Sequence, residues 1–328
     1  MPDHYRTGDA MSVYEIKRAQ RDDSVPDALE RLRQWANTAP LDIALCHKRH
    51  GQWHAWRWID VVRDVEQLVD GLHQHGFDEH SRLVLSGAFD PDFLLLALAV
   101  QASGGTLVVV PAPSSAEQAR RIVEVQRPTH SFVPLRRDLG LWLAAAERSS
   151  VLHTLICGQA PLIETAGATV TSVARLRLSA GNSAAARRQK QRSKGFKQLW
   201  VEEGSEWEGG FAVLLAQWLD LGQALAFAEC PGSVARDRRD VTPTGLLMSA
   251  GRLRVLADEI ESRLPPPGTW RRRLCDWTIA DPQQGVRRLL RNRVKRLLGF
   301  GHVSFIWQAV PQSASTHPWA APVSRNVA

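Results

Sequence analysis

The sequence predicts an α/β fold in which mostly parallel sheets are covered by helices on both faces. Two observations carry this expectation. Strand-like and helix-like segments alternate between residues 42 and 133. The strand-like segments Arg82–Ser86 (RLVLS) and Thr106–Val110 (TLVVV) are apolar throughout instead of alternating with polar residues. Continuous apolar strands separated by helices are the pattern of a parallel sheet buried on both sides.

The elements follow in chain order. Residues 1–24 are charged and irregular and read as a flexible lead-in. From Asp27 to Thr38 the apolar residues Leu29, Leu32 and Trp35 recur at helical spacing. Asp42–His47 reads as a strand, His50-Gly51 as a turn, and Trp53–Trp58 as the returning strand of a hairpin. Asp60–His75 is an amphipathic helix with Val61, Val65, Leu68, Val69 and Leu72 on one face, stopped by Gly76. Pro91–Ala102 and Ala116–Gln126 are the helices that separate the strands Arg82–Ser86, Thr106–Val110 and His130–Val133. Beyond residue 134 the pattern weakens. Trp142–Glu147 reads as helix, and Val151–Cys157 and Val173–Leu178 read as strands. A small-residue loop, a basic run, a helix over Gly210–Leu221 and strands at Ala224–Ala228 and Gly245–Met248 come next. Gly251–Leu264 is helical up to Pro265-Pro266-Pro267. Thr269–Ile279 and Val286–Leu298 are basic amphipathic helices, and Val303–Trp307 is a last strand.

Composition narrows the function classes. The 328 residues suffice for two ordinary domains or one large one. A hydrophobic share of 44% and a charged share of 23% describe a folded chain. The net charge of +7 favours anionic partners: phosphates, anionic lipid or nucleic acid. Cys46, Cys157, Cys230 and Cys275 have no CxxC spacing, so neither a zinc or redox site nor a disulfide framework is expected, and the simplest compartment is the reducing cytoplasm. His47, His50 and His54 cluster beside Cys46, but across a hairpin tip that is expected to send their side chains apart, so no structural metal is expected. The charged N-terminus does not read as a signal peptide. The longest apolar run, Phe93–Val100, is far short of the ~20 residues of a membrane span, so any membrane contact is peripheral. Nucleic acid is the least supported partner, because no nucleic-acid fold accompanies the basic stripes at residues 187–197 and 287–296. Such a stripe is instead suited to solvent or to anionic lipid. No GxSxG elbow supports a serine hydrolase.

Several segments, in their order, resemble the adenylate-forming (AMP-binding) ligases, most closely the long-chain acyl-CoA synthetases. GQWHAWRWIDVVRDVEQLVDGLHQHGF (51–77) resembles the family's opening hairpin and helix. The stretch from RLVLSGAFDPDF to EQARRIV (82–123) resembles the strand-helix-strand unit that follows. FAVLLAQWLDLGQALAFAE (211–229) and VTPTGLLMSAGRLRVLADEI (241–260) resemble the later helix-strand units, and RRRLCDWTIAD (271–281) and RVKRLLGFGHVSFIW (293–307) the long-chain branch. The resemblance implies the family's N-terminal α/β domain without its C-terminal domain. It divides the chain into a first subdomain at 25–150, a second at 151–312 and a frayed tail at 313–328. It also implies a reaction that joins a fatty acid to coenzyme A through ATP, with magnesium entering only with ATP.

The departures from the family are chemical. The family's phosphate loop, T-S-G-T-T-G-x-P-K, matches Ser179-Ala180-Gly181-Asn182-Ser183-Ala184-Ala185-Ala186-Arg187. Ser179, Gly181, Asn182, Ser183 and Arg187 are the phosphate-contacting candidates. Ala184 replaces the second glycine and restricts close backbone approach, and Arg187 replaces a lysine point charge. No histidine follows between His153 and His302, and Arg252 matches the arginine of a Val-Pro-Arg turn with Gly251 in place of proline. The adenine-packing turn, the Tyr-Gly-x-Thr-Glu and Thr-Gly-Asp segments and the C-terminal lysine are not in this sequence. The expectation is a degenerate ligase, inactive alone, with no catalytic residue assigned. The alternative is a non-catalytic interaction or lipid-binding subunit, binding fatty acid or acyl-CoA, that self-associates or needs a partner chain.

Overall fold

The computed structural model describes residues 14–16, 28–158, 168–179, 198–263, 265–280, 300, 302–303 and 305–308. Its strands are β1 (Tyr14–Ile16), β2 (Ile43–Arg49), β3 (Gln52–Arg57), β4 (Arg82–Leu85), β5 (Thr106–Val109), β6 (His130–Val133), β7 (Thr154–Cys157), β8 (Thr169–Ser172), β9 (Gln198–Val201), β10 (Ala224–Phe227), β11 (Gly245–Met248) and β12 (Phe305–Gln308). Its helices are α1 (Ala28–Thr38), α2 (Trp58–Gln74), α3 (Pro91–Ala102), α4 (Ala116–Gln126), α5 (Leu139–Ala146), α6 (Val173–Ser179), α7 (Gly210–Leu215), α8 (Val234–Val241), α9 (Ala250–Arg263) and α10 (Trp270–Ala280).

Two six-stranded sheets result, in the orders β1-β5-β4-β6-β7-β8 and β12-β11-β9-β10-β2-β3. All neighbours are parallel except β1 with β5 and β2 with β3. The hairpin turn is His50-Gly51, with φ of 49° and 72°, the left-handed pair that a two-residue loop demands. The sheets do not divide the chain at residue 150: the early hairpin β2–β3 joins the second sheet, while β7 and β8 complete the first. Tyr14–Ile16, inside the expected lead-in, pairs with β5.

Strand alternation shows why the apolar runs are continuous. In β4, Leu83 and Leu85 enter a central core while Val84 enters an outer one. In β5, Leu107 and Val109 face the centre and Val108 the outside. In the second sheet Leu199, Val201, Leu225, Phe227 and Leu247 face the centre, and Trp200, Ala226, Leu246 and Met248 the outside. Helices α1, α2, α3, α6 and α7 fill the space between the sheets; α4 and α5 cover the first sheet, and α8 and α9 the second. The result is five layers, α/β/α/β/α. Every residue of α3 from Pro91 to Val100 is buried, as a helix enclosed on all sides requires. Burying each such Leu or Phe contributes about 1.5–3 kcal/mol.

Three expectations are corrected. Val173–Leu178 is the helix α6, not a strand. The Ser172 hydroxyl accepts from the Arg175 amide at 3.1 Å and starts a helical turn, and Val173 and Leu176 are buried while Leu178 is 64% exposed. The helix expected over 210–221 changes at Ala216 into a π turn, Ala216–Asp220. In the last turn the Leu219 carbonyl accepts the Trp35 indole N–H at 2.6 Å. His47 and His54 do not diverge: they are directly paired across β2 and β3.

Candidate functional site

In open parallel sheets, ligands bind beyond the carboxyl ends of the strands. Here those ends lie on one side of both sheets and are joined. The loop after β4 meets the loop after β9, with Phe89 N–H donating to the Glu203 carbonyl at 2.9 Å and Ser205 N–H to the Gly87 carbonyl at 2.8 Å. Gly87 N–H returns a bond to Ser205 Oγ at 2.8 Å, and Ala88 bridges Gly204. A Cβ on Gly204 would stand 2.8 Å from the Gly87 carbonyl oxygen. This seam is therefore filled by backbone.

Beside the seam, β9 ends in two acids. Glu202 is 3% exposed and accepts from Arg238 Nη1 at 2.6 Å and from the Trp200 indole N–H, with Arg252 Nη2 at 3.4 Å. Arg238 comes from α8, is itself buried, and lies over the Phe300 ring at 4.6 Å. Glu203 accepts from the Ser249 amide at 2.6 Å, at the end of β11. Burial pushes its carboxyl up, against the pull of that hydrogen bond and of Arg252.

A second line of charges crosses from β2, in the same sheet as β9, to α6. His47 Nε2 bonds the Ala228 carbonyl at 3.1 Å and its Nδ1 accepts from Arg49 Nε at 3.1 Å, an arrangement that fits the neutral Nε2–H tautomer. Burial and then the Arg49 charge push His47 down to about 4. Arg49 donates to Asp92 at 2.7 Å, and Arg177 of α6 donates to the other Asp92 oxygen at 2.9 Å. Burial would raise Asp92, but the two guanidiniums outweigh it and hold the carboxyl below its ordinary value. Asp90 caps α3 by accepting from the Phe93 amide at 2.8 Å. Burial, followed by the charge of Asp92, pushes Asp90 up to about 7. In a third network Lys48 donates to Asp237 at 2.8 Å and to Asp240 at 2.5 Å.

These placements bear directly on the sequence candidates. Ser179 is the last residue of α6. It stands at a helix C-terminus, where unpaired carbonyls disfavour an anion, rather than after a strand as expected. Gly181, Asn182, Ser183 and Arg187 lie outside the described residues, as do the basic run to residue 197 and the expected helix over 286–298. Arg252 is brought to Glu202, a pairing that Gly251 in the place of proline does not prevent. Sequence reasoning missed Arg49, Asp92, Arg177, Glu202 and Arg238. The usable signals were the acid pair directly after the apolar Leu199–Val201 and the Asp-Pro-Asp that opens α3.

Among the described residues no group of three or more His, Cys, Asp or Glu is arranged to hold a metal, and no helix is long and apolar enough to cross a membrane. Cys46 and Cys157 are buried, and burial pushes their thiols up to about 12 and about 11, which leaves them unreactive. A cavity of about 300 Å3 lies away from the strand ends, lined by Arg31, Gln34, Trp35, Thr38, Leu219 and Asp220.

No protein-family model and no curated protein sequence matches the chain. Solved structures do. The adenylation domain of a carboxylate reductase from Mycobacterium chelonae superposes with a TM-score of 0.62 at 14% identity, over 89% of this chain and 55% of that one. The A domain of a carboxylic acid reductase from Segniliparus rugosus, solved in complex with AMP and a co-purified carboxylic acid, gives 0.61 at 12% identity, over 90% of this chain and 58% of that one. Acetoacetyl-CoA synthetase from Streptomyces lividans gives 0.52 at 15% identity, over 71% and 44%. The chain spans about half the length of these proteins. At such identities the likeness is one of fold, and the fold is that of the N-terminal domain of adenylate-forming ligases.

Proposed function

We propose that this chain is a ligase-like protein of the AMP-binding type, close to the long-chain fatty acid–CoA ligases, that has no complete adenylation site of its own. The observation that supports this reading is the fate of the arginines at the strand ends. Arg238 and Arg252 are paired with Glu202, and Arg49 and Arg177 with Asp92. Adenylation works by electrostatic stabilisation of transferred phosphate, which needs cations aimed at the ligand. Here a phosphate would have to displace an internal carboxylate from each pair, and Glu202 and Glu203 would repel it. The described residues do not fit the triphosphate of ATP. Ser179, Gly181, Asn182, Ser183 and Arg187 remain part of the proposal as the residues that would contact phosphate.

Calorimetric titration of the full chain with AMP, and with ATP and magnesium, tests this. The reading expects no saturable heat up to millimolar nucleotide. A dissociation constant in the micromolar range would sink it, because about 8 kcal/mol of binding free energy requires unpaired donors. A second reading, a subunit completed by another chain, draws on β12, an outer strand of the second sheet whose Ile306 is 43% exposed. Nucleotide binding that appears only in a co-purified complex would favour it.

A further inference from the structure

We propose that α10 docks this protein on an anionic lipid surface. Helix α10 starts where the Thr269 hydroxyl accepts from the Arg272 amide at 3.2 Å. Its inner side is fixed by Arg272, which donates to Glu261 of α9 at 2.6 Å and to Asp276 at 3.0 Å. At about 100° per residue, Trp270 and Trp277 lie roughly 20° apart on the helix wheel and on the side away from Arg272. They are 69% and 42% exposed, among the largest exposed apolar side chains of the described residues. Their spacing along the axis is ~10 Å.

Arginines flank this aromatic face. Arg273 falls about 60° to one side of Trp270 and Arg271 about 100° to the other. Both are exposed, and the Arg271 guanidinium rests over the Trp270 ring at 5.5 Å. The one acid of α10, Asp276, is itself exposed but is paired with Arg272, and it lies about 100° round the helix from Trp277. Indole rings seat at the headgroup level, with an apolar body and a polar edge. Guanidiniums at the same depth meet lipid phosphates. The charge of the flanks, the spacing of the rings and a net charge of +7 all match an anionic bilayer. Nothing about this face requires nucleotide chemistry, so the inference stands apart from the function proposed above.

Flotation of the full chain with vesicles tests it, comparing phosphatidylcholine alone with phosphatidylcholine containing phosphatidylglycerol. The wild-type chain is expected to float with the anionic vesicles only. Trp270→Ser/Trp277→Ser should lose at least five-fold in partitioning at unchanged charge. Arg271→Glu/Arg273→Glu should lose more than Arg33→Glu/Arg121→Glu, which makes the same change in net charge on exposed residues of α1 and α4. The expected step is about five-fold for each arginine removed from the surface. Equal losses in the two charge variants would overturn the proposal, since attraction would then be general. So would wild-type binding that the tryptophan variant retains. Dimerisation in lipid-free sedimentation that Trp270→Ser/Trp277→Ser abolishes would also overturn it, by assigning the face to a second copy.

Discussion

Replacing Glu202 by Gln keeps the shape of the side chain and removes its charge. Arg238 then keeps a guanidinium that is 2% exposed, next to the Phe300 ring and with no carboxylate. Its Nε already lacks a hydrogen-bond partner. Stranding one member of a buried pair costs about 3–5 kcal/mol. The reverse change, Arg238→Met, leaves Glu202 with the Trp200 indole and Arg252 at 3.4 Å, so its cost should be smaller, about 2 kcal/mol. The double variant removes both charges and should recover a coupling of about 2 kcal/mol. Urea unfolding of the four proteins at equal slope measures each value. Additive single costs, or a Glu202→Gln cost below about 1 kcal/mol, would refute the view that this pair closes the strand ends.

Two further outcomes follow from the packing and the charges. Gly71→Ala sets helix propensity against sterics: alanine should favour α2 by about 1 kcal/mol, but its Cβ would lie 2.3 Å from the Leu176 carbonyl oxygen of α6. The overpacking cost of about 1–3 kcal/mol should win, and a stabilised Gly71→Ala in thermal unfolding would contradict this placement of α6. Stability should also depend on pH. Burial pushes His47 and His130 down to about 4 from 6.5, so between these values the unfolded chain binds more protons and stability falls as pH falls, by about 3 kcal/mol for each histidine. Asp90, pushed up to about 7, is protonated in the folded state over the same window and acts in the opposite sense. Glu203, also pushed up by burial, acts in that same opposite sense, so the wild-type chain should lose stability between pH 6 and 4 less steeply than the two histidines alone would give. Asp90→Asn, which retains a capping side chain, should steepen the slope by about one proton; an unchanged slope would remove Asp90 from the account.

Much of the fold was legible because burial on both faces leaves unbroken apolar runs, as in Arg82–Leu85 and Thr106–Val109. The elements that escaped lack that signature. Helix α8, VARDRRDV, carries no apolar stripe because its inner residues include Asp237 and Arg238, satisfied by Lys48 and Glu202. Strand β9 offers only three apolar residues after a basic run. Helix α6 alternates Arg175, Leu176, Arg177 and Leu178 and so imitates a strand; the Ser172 cap and the glycine at position 71 decide otherwise. The charged site was hidden for a different reason. Its partners are 36 residues apart for Glu202 and Arg238, 43 for Arg49 and Asp92, and 85 for Arg177 and Asp92, and no local spacing announces such pairs.

The most direct test of the central claim is ATP–pyrophosphate exchange by the full chain, across a panel of medium- and long-chain fatty acids. It reports acyl-adenylate formation without any coenzyme A step. The account predicts exchange no greater than that of a Gly181→Ala/Arg187→Ala variant, from protein whose cooperative unfolding shows that it is folded. Acid-dependent exchange above that control would mean that phosphate reaches working cations despite Glu202 and Asp92, and that the site is not closed.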